Sequence, residues 1–231
     1  FIQKMYVRMA ISKRFRRYFS HKHIKLPEYF KDFLLVGGNH RIRLFPEDLN
    51  YSLILLKKNE NPKFCVNDAR LRSTLSFNHW PKLIDYGNGW IREEYFEGTP
   101  LNRILDIKKR EDIGNDIISL HWDYVIKPTQ YQLPINAYKD LVILDVNRIL
   151  EMFSDRLDKS LIDKILNTFQ IAFSKLTISE IIISSTHGDF QMSNILVKDN
   201  ETKIIDWEHS DNRFYLYDHF IFNSNLRSIN D

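Results

Sequence analysis

An α+β fold in two unequal lobes is what the sequence predicts: a small β-rich lobe over residues 32–97 and a mostly helical lobe over 98–231. Three observations predict it. Short apolar runs broken by glycine and asparagine turns fill the stretch between Phe33 and Gly98. Beyond Leu101, apolar residues recur at helical spacing. Between Asn194 and Asp206 lies a strand–turn–strand pattern, short enough to be a hairpin.

The elements follow in order. Phe33-Leu34-Leu35-Val36 is an apolar run, Gly37-Gly38-Asn39-His40 is a turn, and Arg41 to Phe45 alternates charged and apolar residues. Ser52 to Lys58 reads as an apolar strand ending in two lysines, which alternation sends to opposite faces. Residues 62–76 read as a helix, with Pro62 in its first turn and Val66, Ala69, Leu71 and Leu75 at apolar positions. Gly98 and Pro100 punctuate the boundary between lobes. Residues 101–121 have helical spacing, 122–137 with Pro128 and Pro134 read as loop, and 138–154 as helix. Ser160-Leu161-Ile162-Asp163 reads as a capping box. It opens a helix whose expected buried face carries Leu161, Ile162, Ile165, Leu166, Phe169, Ala172, Phe173 and Leu176.

Composition bounds the rest. At 231 residues, with 43% hydrophobic and 13% aromatic content, the chain can build a sizeable core. Cys65 is the one cysteine, which excludes an intrachain disulfide. No run reaches the roughly eighteen apolar residues of a membrane span, and no signal-peptide pattern is present. The net charge is +3, yet residues 1–31 carry nine Lys and Arg against Glu28 alone, so the remainder is acidic. With Tyr6, Phe15, Tyr18 and Phe19 interleaved, this basic arm suits a membrane surface or nucleic acid; the plainer reading is a solvated helix packed on the core. The chain opens at Phe1 and ends in a polar tail after an apolar segment, which reads as a domain cut from a longer protein, with its C-terminal lobe truncated.

The chemistry concentrates in 187–208, His-Gly-Asp-Phe-Gln-Met-Ser-Asn through Ile-Ile-Asp-Trp-Glu. Strand patterns at Ile195–Lys198 and Lys203–Ile205, around the turn 199–202, would return Asp206 to the side of Asn194. Asp189, Asn194 and Asp206 then offer hard oxygen ligands of the kind Mg²⁺ takes. Phosphoryl transfer needs such a set: a carboxylate to receive the acceptor's proton, and metal ligands to neutralise developing charge.

His187-Gly188-Asp189 with Asn194 five residues on, followed by Asp206-Trp207-Glu208, resembles the aminoglycoside phosphotransferase and choline kinase superfamily, with its two-lobed protein-kinase-like fold. Glu94-Tyr95-Phe96-Glu97-Gly98-Thr99-Pro100-Leu101 is similar to that family's hinge. The resemblance implies Asp189 as the catalytic base and Asn194 and Asp206 as Mg²⁺ ligands. His187 and Asp218 would support the catalytic loop. Gly37 and Gly38 would approach the nucleotide phosphates, and Lys57, or alternatively Lys58, would contact them. Asp68 stands where the family has a glutamate paired to that lysine, one methylene shorter. Backbone groups near Glu94 and Phe96 would meet the purine edge.

The function implied is ATP-dependent transfer of a γ-phosphate to a small-molecule hydroxyl, on a sugar, an amino alcohol or a similar compound. Partners would be nucleotide and acceptor, with no nucleic acid, in the cytoplasm or at a membrane surface through the basic arm. The alternatives are a kinase-fold binding module with weak turnover, and a lipid or glycan kinase working at a membrane.

Overall fold

Alternating apolar residues build a five-stranded antiparallel sheet from β1 (Leu34–Gly37), β2 (Arg41–Phe45), β3 (Tyr51–Leu56), β4 (Leu83–Gly87) and β5 (Trp90–Glu94), in the order β1-β2-β3-β5-β4. The computed structural model describes residues 32–37, 41–57, 62–152 and 158–224; the basic arm, Gly38 and Lys58 lie outside the described residues. Register sets what each face carries. Arg43 lies opposite Ile54, Ile54 opposite Ile91, and Ser52 opposite Glu93. Since opposed residues in an antiparallel pair share a face, Arg41, Arg43, Ser52, Ile54, Ile91 and Glu93 all project to one side.

Helix α1 (Lys63–Thr74) covers part of that side, with Cys65 packed against Ile54 and Ile91. It begins after Pro62, whose missing N–H costs nothing at a helix start. It ends where Leu75 turns extended, at φ −106° and ψ 139°.

The second lobe opens with a single 3₁₀ turn and α2 (Ile107–His121), capped by Asp106, whose side chain accepts the Lys109 N–H at 3.0 Å. The segment expected as loop over 122–137 is more ordered than its prolines suggest. It continues α2 as a π turn, Trp122–Ile126, and then forms β7 (Tyr131–Pro134). β7 pairs with β8 (Glu180–Thr186), from Tyr131 against Ile183 to Pro134 against Glu180. Pro134 is tolerated because β7 is an edge strand. The other edge is β11 (Asp211–Phe214).

Between β7 and β8 run α3 (Ile135–Met152) and α4 (Lys159–Ser174). The cap of α4 is Asp158 rather than Ser160: its carboxylate accepts the Leu161 N–H at 2.8 Å and the Ser160 hydroxyl at 2.7 Å. Aspartate won because its side chain reaches the third N–H of the helix. The stripe expected to be buried on α4 is only partly so; Ile162, Ile165, Leu166, Phe169 and Phe173 are half-buried, while Leu161, Ala172 and Leu176 are exposed. The described chain closes with α5 (Tyr217–Ser224).

The expected hairpin forms, tighter than anticipated. β9 (Ile195–Lys198) pairs with β10 (Glu201–Ile204), from Ile195 against Ile204 to Lys198 against Glu201, leaving a two-residue loop at Asp199-Asn200. Asp199 takes φ 53°, the left-handed conformation that two-residue hairpin loops require and that aspartate tolerates. Short β6 (Thr99–Pro100) joins the other edge of β9 and ties the inter-lobe link to it.

The main core lies beneath the hairpin, among Phe77, Trp80, Ile117, Phe190, Trp207 and Phe222. Trp80 meets Trp207 edge-on, centroids 5.4 Å apart and planes 81° apart. Phe190 and Trp207 flank the two candidate loops in sequence, and burying each stabilises the fold by roughly 1.5–3 kcal/mol. No helix among the described residues is long and apolar enough to cross a membrane.

Gly98 is where the inter-lobe link passes closest to the hairpin. A Cβ there would sit 2.9 Å from the Leu196 Cβ and 3.1 Å from the Val197 nitrogen. Gly98→Ala should therefore lower the unfolding free energy by about 1–3 kcal/mol in urea titration, through overpacking; a midpoint equal to wild type would mean the link gives way freely.

Candidate active site

The loop after β8 is built on one buried carboxylate. Asp218, at the start of α5, is fully buried. Its Oδ2 accepts the His187 N–H at 2.6 Å and the His121 Nε2–H at 2.9 Å, and its Oδ1 accepts the Gly188 N–H at 2.9 Å. Burial pushes this carboxyl up, but His121, His187 and the Gly188 N–H outweigh burial and hold it below its ordinary 3.8. His121 stacks on Phe190 with centroids 4.4 Å apart, so the loop is gripped by hydrogen bonds and by ring packing.

His187 joins this loop to the one bearing Asp206. Its Nε2–H donates to the Ile205 carbonyl at 2.9 Å, and its Nδ1 accepts the Asp189 N–H at 3.2 Å. That pattern assigns the neutral imidazole, with both nitrogens used. Burial lowers its pKa below 6.5, against Asp218 and the Ile205 carbonyl. Gly188 has a local reason to be glycine. Its φ is +87°, and a Cβ would run into the His209 carbonyl and come within 2.9 Å of Arg213 Nη1.

Asp189, Asn194 and Asp206 come into one corner. Asn194 Nδ2 donates to the Asp189 carbonyl at 2.9 Å and to Asp189 Oδ2 at 3.1 Å, while Gln191 Nε2 donates to the same oxygen at 2.9 Å. The Asn194 carbonyl accepts the Ile205 N–H at 2.9 Å, which brings Asp206 beside Asn194 across the hairpin. Asp206 itself takes φ 74° and ψ 43°, a left-handed conformation rare outside glycine and asparagine-like residues. Local strain of this kind costs on the order of 1–3 kcal/mol and clusters at functional sites.

The cations reaching this corner come from β2. Arg41 Nη2 lies 2.5 Å, and Arg43 Nη2 3.0 Å, from Asp206 Oδ1, and Arg41 Nε also pairs with Glu208. Burial pushes Asp206 up, but Arg43 and Arg41, with His187 and His209, hold it below 3.8. Arg41 and Arg43 were missed from sequence, although the charged–apolar alternation of Arg41 to Phe45 placed both on one face.

Other expected residues fall differently. Lys57 is the residue after β3, next to Leu56, the register partner of Arg41. Asp68 has a partner other than the one expected: it meets Arg72 one turn on in α1, with Arg72 Nε 2.6 Å from Asp68 Oδ1. That contact is an ion pair whose N–H is not aimed along a hydrogen bond. Arg72 Nη1 also donates to Glu93 Oε2 at 2.7 Å and to the Pro81 carbonyl at 3.1 Å, and Ser52 donates to Glu93 Oε1 at 3.3 Å. All three charges are buried. Burial raises the Asp68 pKa despite Arg72; on Arg72 burial acts downward, but Asp68 and Glu93 carry it above its ordinary value.

A cleft of about 1400 Å³ opens between the lobes, with Arg43, Ser52 and Glu93 on one wall and Leu196 and Ile205 on the other. Its back is residues 94–100, including Glu94 and Phe96. The Glu94 N–H donates to the Lys82 carbonyl at 2.9 Å, so that donor is spent inside the sheet; residues 95–98 run past the cleft without strand or helix structure. Gly37 ends β1 opposite Ile42, with open space where a Cβ would go.

Among the described residues, no three His, Cys, Asp or Glu side chains gather as a metal cluster. The candidate set is two carboxylates and one amide. With its nitrogen spent on Asp189, the Asn194 amide presents oxygen as its ligand atom, and all three residues are the oxygen donors Mg²⁺ prefers. The residues fit the ion.

Neither a family model nor any curated protein matches the sequence. Solved structures do match in fold. The streptomycin–ATP–APH(2″)-IIa ternary complex is similar at TM-score 0.62 and 11% identity, over 87% of this chain and 77% of that one. A choline/ethanolamine kinase family protein from Mesorhizobium loti is similar at TM-score 0.55 and 16% identity, over 97% and 70%. Choline kinase from Cryptosporidium parvum Iowa II is similar at TM-score 0.57 and 16% identity, over 97% and 68%. The shared architecture is the two-lobed kinase-like α+β fold.

Two outcomes follow for stability. Arg72→Met would leave Asp68 and Glu93 buried without their cation, and should cost about 3–5 kcal/mol in urea unfolding; a cost under about 1 kcal/mol would contradict the buried triad. The second concerns pH. His187, His79 and His219 all titrate below 6.5 in the fold, chiefly through burial. Below about pH 6.5 the unfolded chain takes up protons that the folded chain refuses, so stability is full above that pH and falls beneath it. Asp218 adds a second loss, beginning below its ordinary 3.8. Asp68, raised by burial, acts in the opposite sense above 3.8. Calorimetry should show the melting temperature dropping from about pH 7.5 to about pH 5.5, by less in His187→Gln; equal drops in both proteins would remove His187 from the effect.

Proposed function

We propose that this chain is an ATP-dependent phosphotransferase that moves a γ-phosphate to the hydroxyl of a small molecule. The observation that carries the reading is the Asp189–Asn194–Asp206 corner, held beside an inter-lobe cleft. The fold likeness supports it. The matched structures include complexes with ATP and streptomycin and with ADP, and those ligands belong to those proteins.

The chemistry divides among the chain's residues. Asp189 accepts the hydrogen bond of the acceptor hydroxyl, with its carboxylate oriented by Gln191 and Asn194. The hydroxyl oxygen forms a bond to the γ-phosphorus, the bond from phosphorus to the β–γ bridging oxygen breaks, and that electron pair leaves on ADP. The hydroxyl proton passes to Asp189 late in the step. Asn194 and Asp206 are the residues that would hold Mg²⁺, which would supply charge neutralisation on the phosphates. The backbone of 95–98 faces the purine. His187 and Asp218 position the loop and touch no reacting atom.

A second reading has one observation in its favour. Asp206 is already paired with two arginines, as it would be in a kinase-fold binding module with weak turnover. Mg²⁺-dependent ATP binding with no phosphate transferred to any acceptor would select it.

The test is ADP release by the full chain against a panel of hydroxyl metabolites. With a working acceptor, Asp189→Asn should lower kcat by roughly 10²–10⁴-fold while Mg·ATP still binds; unchanged turnover would sink the mechanism. Asp206→Asn tolerates the left-handed backbone, and should abolish the Mg²⁺ dependence of nucleotide binding. If that dependence survives, the metal lies elsewhere.

A further inference from the structure

Resting on the phosphotransferase reading, we propose that Arg41 and Arg43 of β2 are the principal cations that hold the nucleotide phosphates. Among the described residues, the cleft face of β3 carries Ser52, Ile54 and Leu56, none of them charged. Ile54 is 1% exposed and lies directly across from Arg43. Arg43 lines the cleft together with the inter-lobe link, and Arg41, 5% exposed, lies behind it. A guanidinium is costly to bury and is kept where an anion meets it. Its planar fork matches two phosphate oxygens at once, which an ammonium does not.

Both arginines rest on Asp206, and Arg41 also on Glu208. They thereby occupy the carboxylate assigned to the metal. A triphosphate entering the cleft offers them a stronger anion, and their transfer to it frees Asp206. The arginines thus favour nucleotide and oppose bare metal, and removing one should shift the two affinities in opposite directions. A residue of purely structural importance would weaken both.

The experiment measures three affinities on the full chain: Mg·ATP and adenosine by calorimetry, and Mn²⁺ without nucleotide by electron paramagnetic resonance. Arg43→Met should weaken Mg·ATP by about tenfold to a hundredfold, as loss of a charge-assisted contact does. The same variant should bind Mn²⁺ more tightly than wild type. Adenosine, lacking phosphates, should bind both alike, which also reports that the variant is folded. Arg43→Lys, which keeps the charge and loses the fork, should fall between and serves if the methionine variant does not fold. Equal Mg·ATP affinity in wild type and Arg43 variants overturns the proposal, as does weaker Mn²⁺ binding in Arg43→Met. A larger Mg·ATP loss in Lys57→Met or Lys58→Met than in Arg43→Met overturns it too. A wild-type chain that binds no Mg·ATP brings down the phosphotransferase reading itself, a result distinct from binding that ignores the arginines.

Discussion

One carboxylate holds the centre of this molecule. Asp218 sits out of water beneath the loop after β8 and receives three N–H groups: two consecutive backbone amides and one imidazole. An unpaired charge at that depth would cost several kcal/mol, so the donors and the carboxylate must be present together. The positive φ of Gly188 follows, because consecutive N–H groups can converge on one carboxylate only if the chain turns there. The position of Asp189 follows in turn, with its N–H bound to His187. His187 then reaches the Ile205 carbonyl, so the same anchor governs where Asp206 lies.

The first lobe is organised by charges that have changed places. Arg72, Asp68 and Glu93 form a buried triad where a lysine–aspartate pair was expected. Because Arg72 answers two carboxylates and a carbonyl, it joins α1 to β5 and to the loop before β4. The arginines of β2 meanwhile reach across the cleft to the second lobe. A helix-to-sheet tie and a lobe-to-lobe tie are therefore separate sets of residues, and either can be altered without removing the other.

The most legible parts were those whose partners are close in sequence. Asp189, Asn194 and Asp206 stand within one hairpin and its flanks, and alternation with a turn is enough to bring Asp206 back to Asn194. The turn was placed two residues too wide because Glu201 and Thr202 look polar, whereas in the fold they are β10 residues paired to β9. The partner of Asp68 was visible at i+4 as Arg72, but resemblance directed attention to a distant lysine. For Lys57 and Lys58 the sequence left the phase open, since both follow the last residue of β3. Arg41 and Arg43 were legible as a pair on one strand face, and only lobe closure shows what they meet. The pairing of β7 with β8, some fifty residues on, has no local signal. His121 carries none either, being one histidine at the end of an ordinary helix. For α4 the stripe was readable and its depth was not, since burial depends on a partner surface.

The hairpin that leads to Asp206 is also fastened to the loop before β4. Lys203 Nζ donates to the Asn78 carbonyl at 2.8 Å, the Ile204 N–H to the His79 carbonyl at 2.5 Å, and the His79 ring meets Thr202 at 2.9 Å. With β6 paired to β9, both edges of the strand pair are held: β10 by the loop before β4, and β9 by the inter-lobe link. The approach to Asp206 is therefore set by the scaffold on both sides of the strand pair, and not by its own loop alone.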